Sequence, residues 1–208
     1  MKRILIVTLL LSGLGIADWI VTNPPDLSTF TWVNQLGSSC STANGLPVFA
    51  VPFHSSPAQW SSLVKPLTAS AYTITLIFIP SIPSAGIFHF GITLQDSTST
   101  KGVNLMLNQY NAPGQLIVYR ESDVQHGMSE VAQATFNIPV AHVRGLRIVD
   151  DGTNRTFYYS CDGGNVWMQM YQEASNSYMT PAKWGIIGVN LQSATQYATI
   201  YDLETTYP

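Results

Sequence analysis

LRIVDDGTNRTFYYSCDGGNVW, Leu146 to Trp167, carries two turn signals in close succession. Asp151-Gly152 and Asp162-Gly163-Gly164 supply the positive φ angles that tight hairpin turns require. Thr156 to Cys161, between them, is rich in β-formers. The stretch therefore predicts a three-strand antiparallel meander, and it sets the class of the protein.

The pattern extends outward from the meander in both directions. In Tyr72 to Ile79, Ile74, Leu76 and Phe78 alternate with Thr73 and Thr75, the period of a half-buried strand. Gly86 to Gln95 follows, with Phe88, Phe90 and Ile92 on one face and His89, Gly91 and Thr93 on the other. Val103 to Leu107 alternates again, with Asn104 and Asn108 opposite its apolar positions, and Gln115 to Arg120 is the next strand. Later strands are expected at Val166 to Tyr171, Trp184 to Leu191 and Gln196 to Leu203. Near the start, Phe30 to Asn34 reads as a strand, Ser38 to Gly45 as a polar turn, and Leu46 to Phe53, with two prolines, as an edge strand. Pro57 to Pro66 reads as a loop or short helical turn, and Glu121 to Val131 as a polar loop holding His126. No helical periodicity appears. Short strands at regular spacing predict an all-β, two-sheet antiparallel sandwich.

Composition bounds the function. The chain has 208 residues, 46% of them hydrophobic, which suffices for a core, while only 10% are charged against the usual ~25%. The surface must therefore rely on hydroxyl and amide groups. A net charge of −3 leaves no basic footprint for nucleic acid. Lys2 and Arg3 precede an apolar run from Ile4 to Ile16 that is too short for a spanning helix. With Gly15-Ile16-Ala17 behind it, the run reads as a secretory signal. The alternative is an apolar arm that docks on a neighbouring subunit. Residues 18–208 then form one β-sandwich domain.

Chemistry-bearing constellations are few. Four scattered histidines and two cysteines show no metal-ligand spacing, so neither a metal nor a cofactor is expected. Cys40 and Cys161 read either as one disulfide or as two separate thiols. The four glutamates (Glu121, Glu130, Glu173, Glu204) form no paired-acid motif of the kind a retaining glycosidase needs. Asp150 and Asp151 are adjacent, so on a strand they face opposite ways. Asp202 and Glu204 sit in a polar tail and read as solvated surface. Asn154-Arg155-Thr156 is a formal glycosylation sequon. The chain is thus expected to be no enzyme. Its aromatics, Trp19, Trp32, Trp60, Trp167 and Trp184 with ten tyrosines, are the remaining hint, because sugars stack on aromatic faces and hydrogen-bond to polar side chains. His89, Asn104, Asn108 and Arg120 fall on the less apolar faces of their strands. If those strands are neighbours, they would line a polar concave surface for a glycan; otherwise they form an ordinary solvated face. Arg147 alternates with Leu146 and Ile148 and should face outward or pair with an acid.

Ser160-Cys161-Asp162-Gly163-Gly164-Asn165-Val166-Trp167 matches the pattern Ser-x-Asp-x-Gly-x-x-Trp. Asp162 can accept the turn's backbone N–H groups, Gly164 can take the left-handed conformation, and Trp167 can pack beneath. The segment resembles the Asp-box of sialidase propellers, where the motif is structural, so Ser160, Asp162, Gly164 and Trp167 are expected to staple a hairpin. Taken with Phe30–Gln35, Pro66–Thr75, Leu146–Arg155 and Met179–Gly185, it makes the chain resemble the concanavalin A-like lectin/glucanase jelly roll. More narrowly it resembles the LamG-like domains of bacteriophage virion and tail proteins. That resemblance implies a recognition module of a virion or secreted assembly, in the virion or extracellular, meeting a glycan or another assembly protein, and open to homo-oligomer formation. Two alternatives stand beside it: a purely structural virion or assembly subunit, and a secreted lectin-like or glycan-active protein.

Overall fold

The computed structural model describes residues 24–54, 60–81, 87–110, 114–124, 130–191 and 194–208. The signal-like segment, Trp19 and His126 lie outside them. The described residues form fourteen strands and one 3-10 turn, Val140–His142. The strands are β1 (Thr31–Val33), β2 (Ser39–Ala43), β3 (Leu46–Val51), β4 (Ser61–Pro66), β5 (Ala71–Pro80), β6 (Ile87–Gln95) and β7 (Gly102–Tyr110). They continue as β8 (Gln115–Glu121), β9 (Glu130–Asn137), β10 (Gly145–Asp151), β11 (Asn154–Ser160), β12 (Met168–Ala174), β13 (Lys183–Asn190) and β14 (Gln196–Thr206). They make two antiparallel seven-stranded sheets. Sheet A runs β1-β4-β13-β6-β7-β8-β9, and sheet B runs β12-β11-β10-β5-β14-β3-β2. The all-β jelly-roll sandwich expected from the sequence is the fold of this chain.

The meander stands as read: β10, β11 and β12 are neighbours, with Arg147 opposite Tyr158 and Phe157 opposite Tyr171. In its first turn Gly152 has φ 88°, and Asp151 Oδ1 accepts the N–H groups of Thr153 (2.8 Å) and Asn154 (2.7 Å). In its second connection Asp162 Oδ1 accepts Asn165 N–H (3.1 Å), Val166 N–H (3.0 Å) and the Ser160 hydroxyl (2.7 Å). Ser160 Oγ in turn accepts the N–H of Gly164 (2.8 Å), whose φ is 96°. The Trp167 ring packs beneath, and the Arg147 guanidinium lies 3.9 Å from its centroid on the outer face of sheet B.

Alternation sets the core. Tyr72, Ile74, Leu76 and Phe78 of β5 point into the sandwich and meet Phe88, Phe90, Ile92 and Leu94 of β6. Phe90 lies 5.2 Å from Phe78 and 5.7 Å from Phe49 of β3, ring centroid to centroid, so one ring of sheet A locks against two of sheet B. Each fully buried phenylalanine of this kind contributes roughly 2–3 kcal/mol over its exposed state.

Several expectations give way to the structure. Ser38–Gly45 is not all turn: Ser39–Ala43 is the edge strand β2, and the turn is Asn44-Gly45, both at positive φ. Leu46–Val51 is therefore internal, between β2 and β14; its Pro47 lies beyond the stretch that β14 pairs, so no ladder bond to β14 is lost. Ser61–Pro66, expected as loop or helical turn, is strand β4, paired with β1 and β13. Residues 130–137, for which no strand was expected, form the edge strand β9. The disulfide does not form: Cys40 and Cys161 are free thiols. Cys40 lies on β2 and Cys161 follows β11, five strand spacings away across sheet B. At about 4.8 Å per spacing that is about 24 Å, far beyond the reach of an S–S bond.

Candidate functional site

The outer face of sheet A, turned away from the core, holds three of the four candidate ligand residues. On β6 the outward positions are His89, Gly91, Thr93 and Gln95. The register places Asn108 opposite His89 and Asn104 opposite Thr93 on β7, and Tyr119 of β8 opposite Asn104. His89, Asn104 and Asn108 thus form one row on adjacent strands.

Arg120 is not part of that row. It sits opposite Val103, on the inward side, and reaches to sheet B. There its Nη2 donates to Glu173 Oε2 (2.7 Å) and to Ser177 Oγ (2.8 Å), and the guanidinium lies 5.4 Å from the Tyr178 ring centroid. It is a strut between the sheets, not a ligand residue of the outer face. Its partner Glu173 also accepts Arg155 Nη1 (3.0 Å), and Arg155 Nε donates to Asp150 (3.1 Å). Asp150 further accepts the hydroxyls of Ser175 (2.6 Å) and Tyr72 (3.2 Å), so the acid adjacent to Asp151 is held in a structural network.

The row on sheet A is buried, yet its polar atoms lack partners. Trp60 Nε1, His89 Nδ1, Gln95 Oε1, Asn104 Oδ1 and Nδ2, and Asn108 Oδ1 make no hydrogen bond among the described residues. Buried polar groups are ordinarily satisfied, and each orphan costs about 1–3 kcal/mol. Six such atoms on one face therefore require an explanation. The partial contacts are few: Asn108 Nδ2 donates to Tyr119 Oη (3.3 Å), and Gln95 Nε2 to Ser62 Oγ (2.9 Å). His89 lies between two aromatics, edge-on to Trp60 (5.2 Å) and stacked on Tyr119 (6.2 Å). Burial without a countercharge pushes its pKa down to about 4, so the ring is neutral at neutral pH. Trp60, Tyr119, Met106, Ile117, Val124, Ile187 and Val189 form an apolar cluster around the row, separate from the main core.

The composition of this face decides what it can do. Two ionisable groups stand at its end, where Lys183, Gln95, Gly102 and Glu121 are register partners across four strands. Lys183 Nζ donates to Ser99 Oγ (2.7 Å), and Glu121 is fully buried. Elsewhere, Asp202 and Glu204 share the outer face of sheet B and act electrostatically on Arg147. Among the described residues no three of His, Cys, Asp and Glu gather so as to hold a metal ion. Two open clefts lie away from the row. One, about 430 Å³, runs between the β1 and β2 edges past Trp32 and Cys40; the other, about 250 Å³, adjoins Arg144, Cys161 and Tyr201. Neither is bordered by His89, Asn104 or Asn108.

Trp60, Gln95 and Tyr119 join the row as residues that sequence reasoning did not assign to it. Gln95 shares the parity of His89 along β6, which was a usable signal. Trp60 precedes its strand, and Tyr119 lies on a strand that is apolar on both faces, so neither face was readable from spacing.

No protein-family model matches the chain, and no curated protein matches it in sequence. Solved structures do share its fold. It is similar to a functionally unknown protein from Saccharomyces cerevisiae, with TM-score 0.68, 14% identity, and coverage of 88% of this chain and 99% of that one. It is also similar to the GH43 protein BlXynB from Bacillus licheniformis, with TM-score 0.61, 16% identity, and coverage of 88% and 35%. A third similar structure is the CBM2 module of the evolved Dit of Lactobacillus casei BL23 phage J-1, with TM-score 0.56, 12% identity, and coverage of 88% and 94%. The chain spans about a third of the length of the GH43 protein. At these identities the likeness is one of fold.

Proposed function

We propose that this protein is a non-enzymatic glycan-recognition module of a virion surface or tail, working in the virion or the extracellular space, and that it meets its ligand on the outer face of sheet A. The observation that carries this reading is the row of six unpartnered polar atoms on Trp60, His89, Gln95, Asn104 and Asn108. A sugar's hydroxyl groups both donate and accept, and would complete these bonds while its C–H faces rest on aromatic rings. The LamG-like resemblance and the fold shared with a phage CBM2 module support the setting. A glycan array tests it. Saturable binding is expected, and Asn104→Ala or Asn108→Ala should weaken it about tenfold or more while thermal melting shows the variants folded. Binding to no glycan, or equal binding by the variants, would remove the reading.

A second reading, a structural virion or assembly subunit, draws on the rim where the edge strands β9 and β12 come together. Val131 and Phe136 of β9 and Met168 of β12 are exposed there, and unpaired strand edges invite further strands. Stable homo-oligomers abolished by Val131→Lys, with no glycan bound, would favour it.

A further inference from the structure

Resting on the reading of sheet A's outer face as the ligand side, we propose that the ligand is an electrically neutral, multiply hydroxylated oligosaccharide, and that the face rejects uronate, sialate and sulfated glycans.

The unpartnered atoms are of both hydrogen-bonding kinds. Trp60 Nε1 and Asn104 Nδ2 are donors, Gln95 Oε1, Asn104 Oδ1 and Asn108 Oδ1 are acceptors, and His89 Nδ1 is either, depending on tautomer. An ionised carboxylate or sulfate only accepts, so wherever it takes the place of a hydroxyl it supplies no donor to Gln95 Oε1, Asn104 Oδ1 or Asn108 Oδ1. A hydroxyl answers both kinds.

Charge points the same way. Burying an anion requires a cation or an equivalent set of donors. Among the described residues the row carries no cation along its length: Lys183 keeps its charge but stands at one end, opposite Gln95, where it donates to Ser99, Arg120 faces the opposite way and is paired with Glu173, and His89 is neutral at pH 7. The acid at the Gly102 end of this face, Glu121, is fully buried and offers an anion no positive charge.

Length argues for a chain of sugars rather than a single ring. Asn104 and Asn108 lie four residues apart on β7, about 14 Å at about 3.4 Å per residue. Side chains of the apolar cluster pack around the row, and ligand entry requires those of Trp60, Val124 and Tyr119 to turn aside. Trp60 and Val124 belong to connecting segments, and Tyr119 is a ladder residue paired with Asn104 and Ala132 whose side chain alone would turn, so no ladder hydrogen bond need break.

The test is calorimetric titration of the full chain with matched pairs of oligosaccharides of equal length, one neutral and one with uronate rings, such as galactan against galacturonan and glucan against glucuronan. The expected result is about tenfold or tighter binding of the neutral member, with Kd unchanged between about 50 and about 500 mM salt. Asn104→Ala should lose that binding. Should Asn104→Ala fail to fold, the nearly isosteric Asn108→Asp should weaken neutral-sugar binding without creating affinity for the uronate series. Preference for the uronate member, or a Kd that rises steeply with salt, overturns neutrality while leaving the face intact when Asn104→Ala still abolishes binding. Neutral binding untouched by either variant overturns the face itself, and with it this inference.

Discussion

Arg155 and Glu173 are register partners on β11 and β12, and Arg155 Nη1 lies 3.0 Å from Glu173 Oε1 with both side chains removed from solvent. The guanidinium also meets Asp150 and the backbone carbonyl of Ser175. Two cations, Arg155 and Arg120, face two carboxylates, Asp150 and Glu173, so the network is balanced in charge. Removing one partner leaves the others buried and uncompensated. Arg155→Ala is expected to destabilise the fold by about 3–5 kcal/mol, as read by denaturant unfolding. A loss below about 1 kcal/mol would show that the network contributes little to stability.

His89 links stability to pH. Its folded pKa is lowered from 6.5 to about 4 by burial. Between those values the unfolded chain takes up a proton that the folded chain does not, so stability is full above pH 6.5 and declines as pH falls through the window. The loss approaches about 3 kcal/mol near pH 4. His54, also lowered by burial, acts in the same direction, so the informative comparison is between wild type and His89→Gln. The variant should show a shallower decline in melting temperature between about pH 7 and about pH 5. Identical slopes would contradict a neutral buried His89.

Gly91 lies on the outer face of β6, and a Cβ built there would stand 2.0 Å from the Leu105 carbonyl oxygen. That atom belongs to the paired strand and cannot turn aside. Gly91→Ala should therefore cost about 3 kcal/mol or more, measured as a lowered denaturation midpoint. At Gly152 an added Cβ would meet nothing within 4 Å, but φ is +88°. Alanine should be better tolerated there, limited only by backbone strain of about 1–2 kcal/mol.

Asp162 holds its loop through two backbone N–H groups and the Ser160 hydroxyl, and these hydrogen bonds keep its carboxyl pKa below the usual value. Asp162→Ala removes all three. Because the loop is exposed, the expected effect is a modest lowering of the melting temperature. Faster proteolytic cleavage within residues 161–167 is the companion readout. An unchanged cleavage rate would argue against the staple.

The two thiols are separate. Mass spectrometry of the non-reduced protein, unfolded in the presence of an alkylating reagent, should show both Cys40 and Cys161 labelled. In the folded protein the exposed Cys161 should react first, because Cys40 is partly covered and burial raises its pKa. A non-reduced peptide joining the two would contradict the sheet order.

Much of the fold was legible because one-sided burial prints an alternation on the sequence. β5, β6 and β7 show it plainly, and their parity correctly placed His89, Asn104 and Asn108 together. The missed strands lack the print for physical reasons. β2 and β9 are edges with mostly exposed side chains, so little apolar burial marks them. β4 buries Ser61 and Ser62, whose hydroxyls are satisfied by Ser38, Gln35 and Gln95, and a polar interior reads as a loop. Arg120 was misplaced because both faces of β8 are apolar: Leu116 and Val118 line the core, while Ile117 and Tyr119 join the outer cluster. Where both rows are hydrophobic, the period of two carries no sign. The ionic network was illegible because its members, spread from Tyr72 to Ser175, meet only through strand order.

The position of β14 has a consequence for biosynthesis. Residues 196–206 fill the slot between β3 and β5, and β13 does the same between β4 and β6. A nascent chain that has emerged only as far as β12 lacks the middle of both layers and exposes four unpaired strand borders at once. Acquisition of the native state must wait for β13 and β14 to leave the ribosome, and until then the open borders can pair with those of another chain.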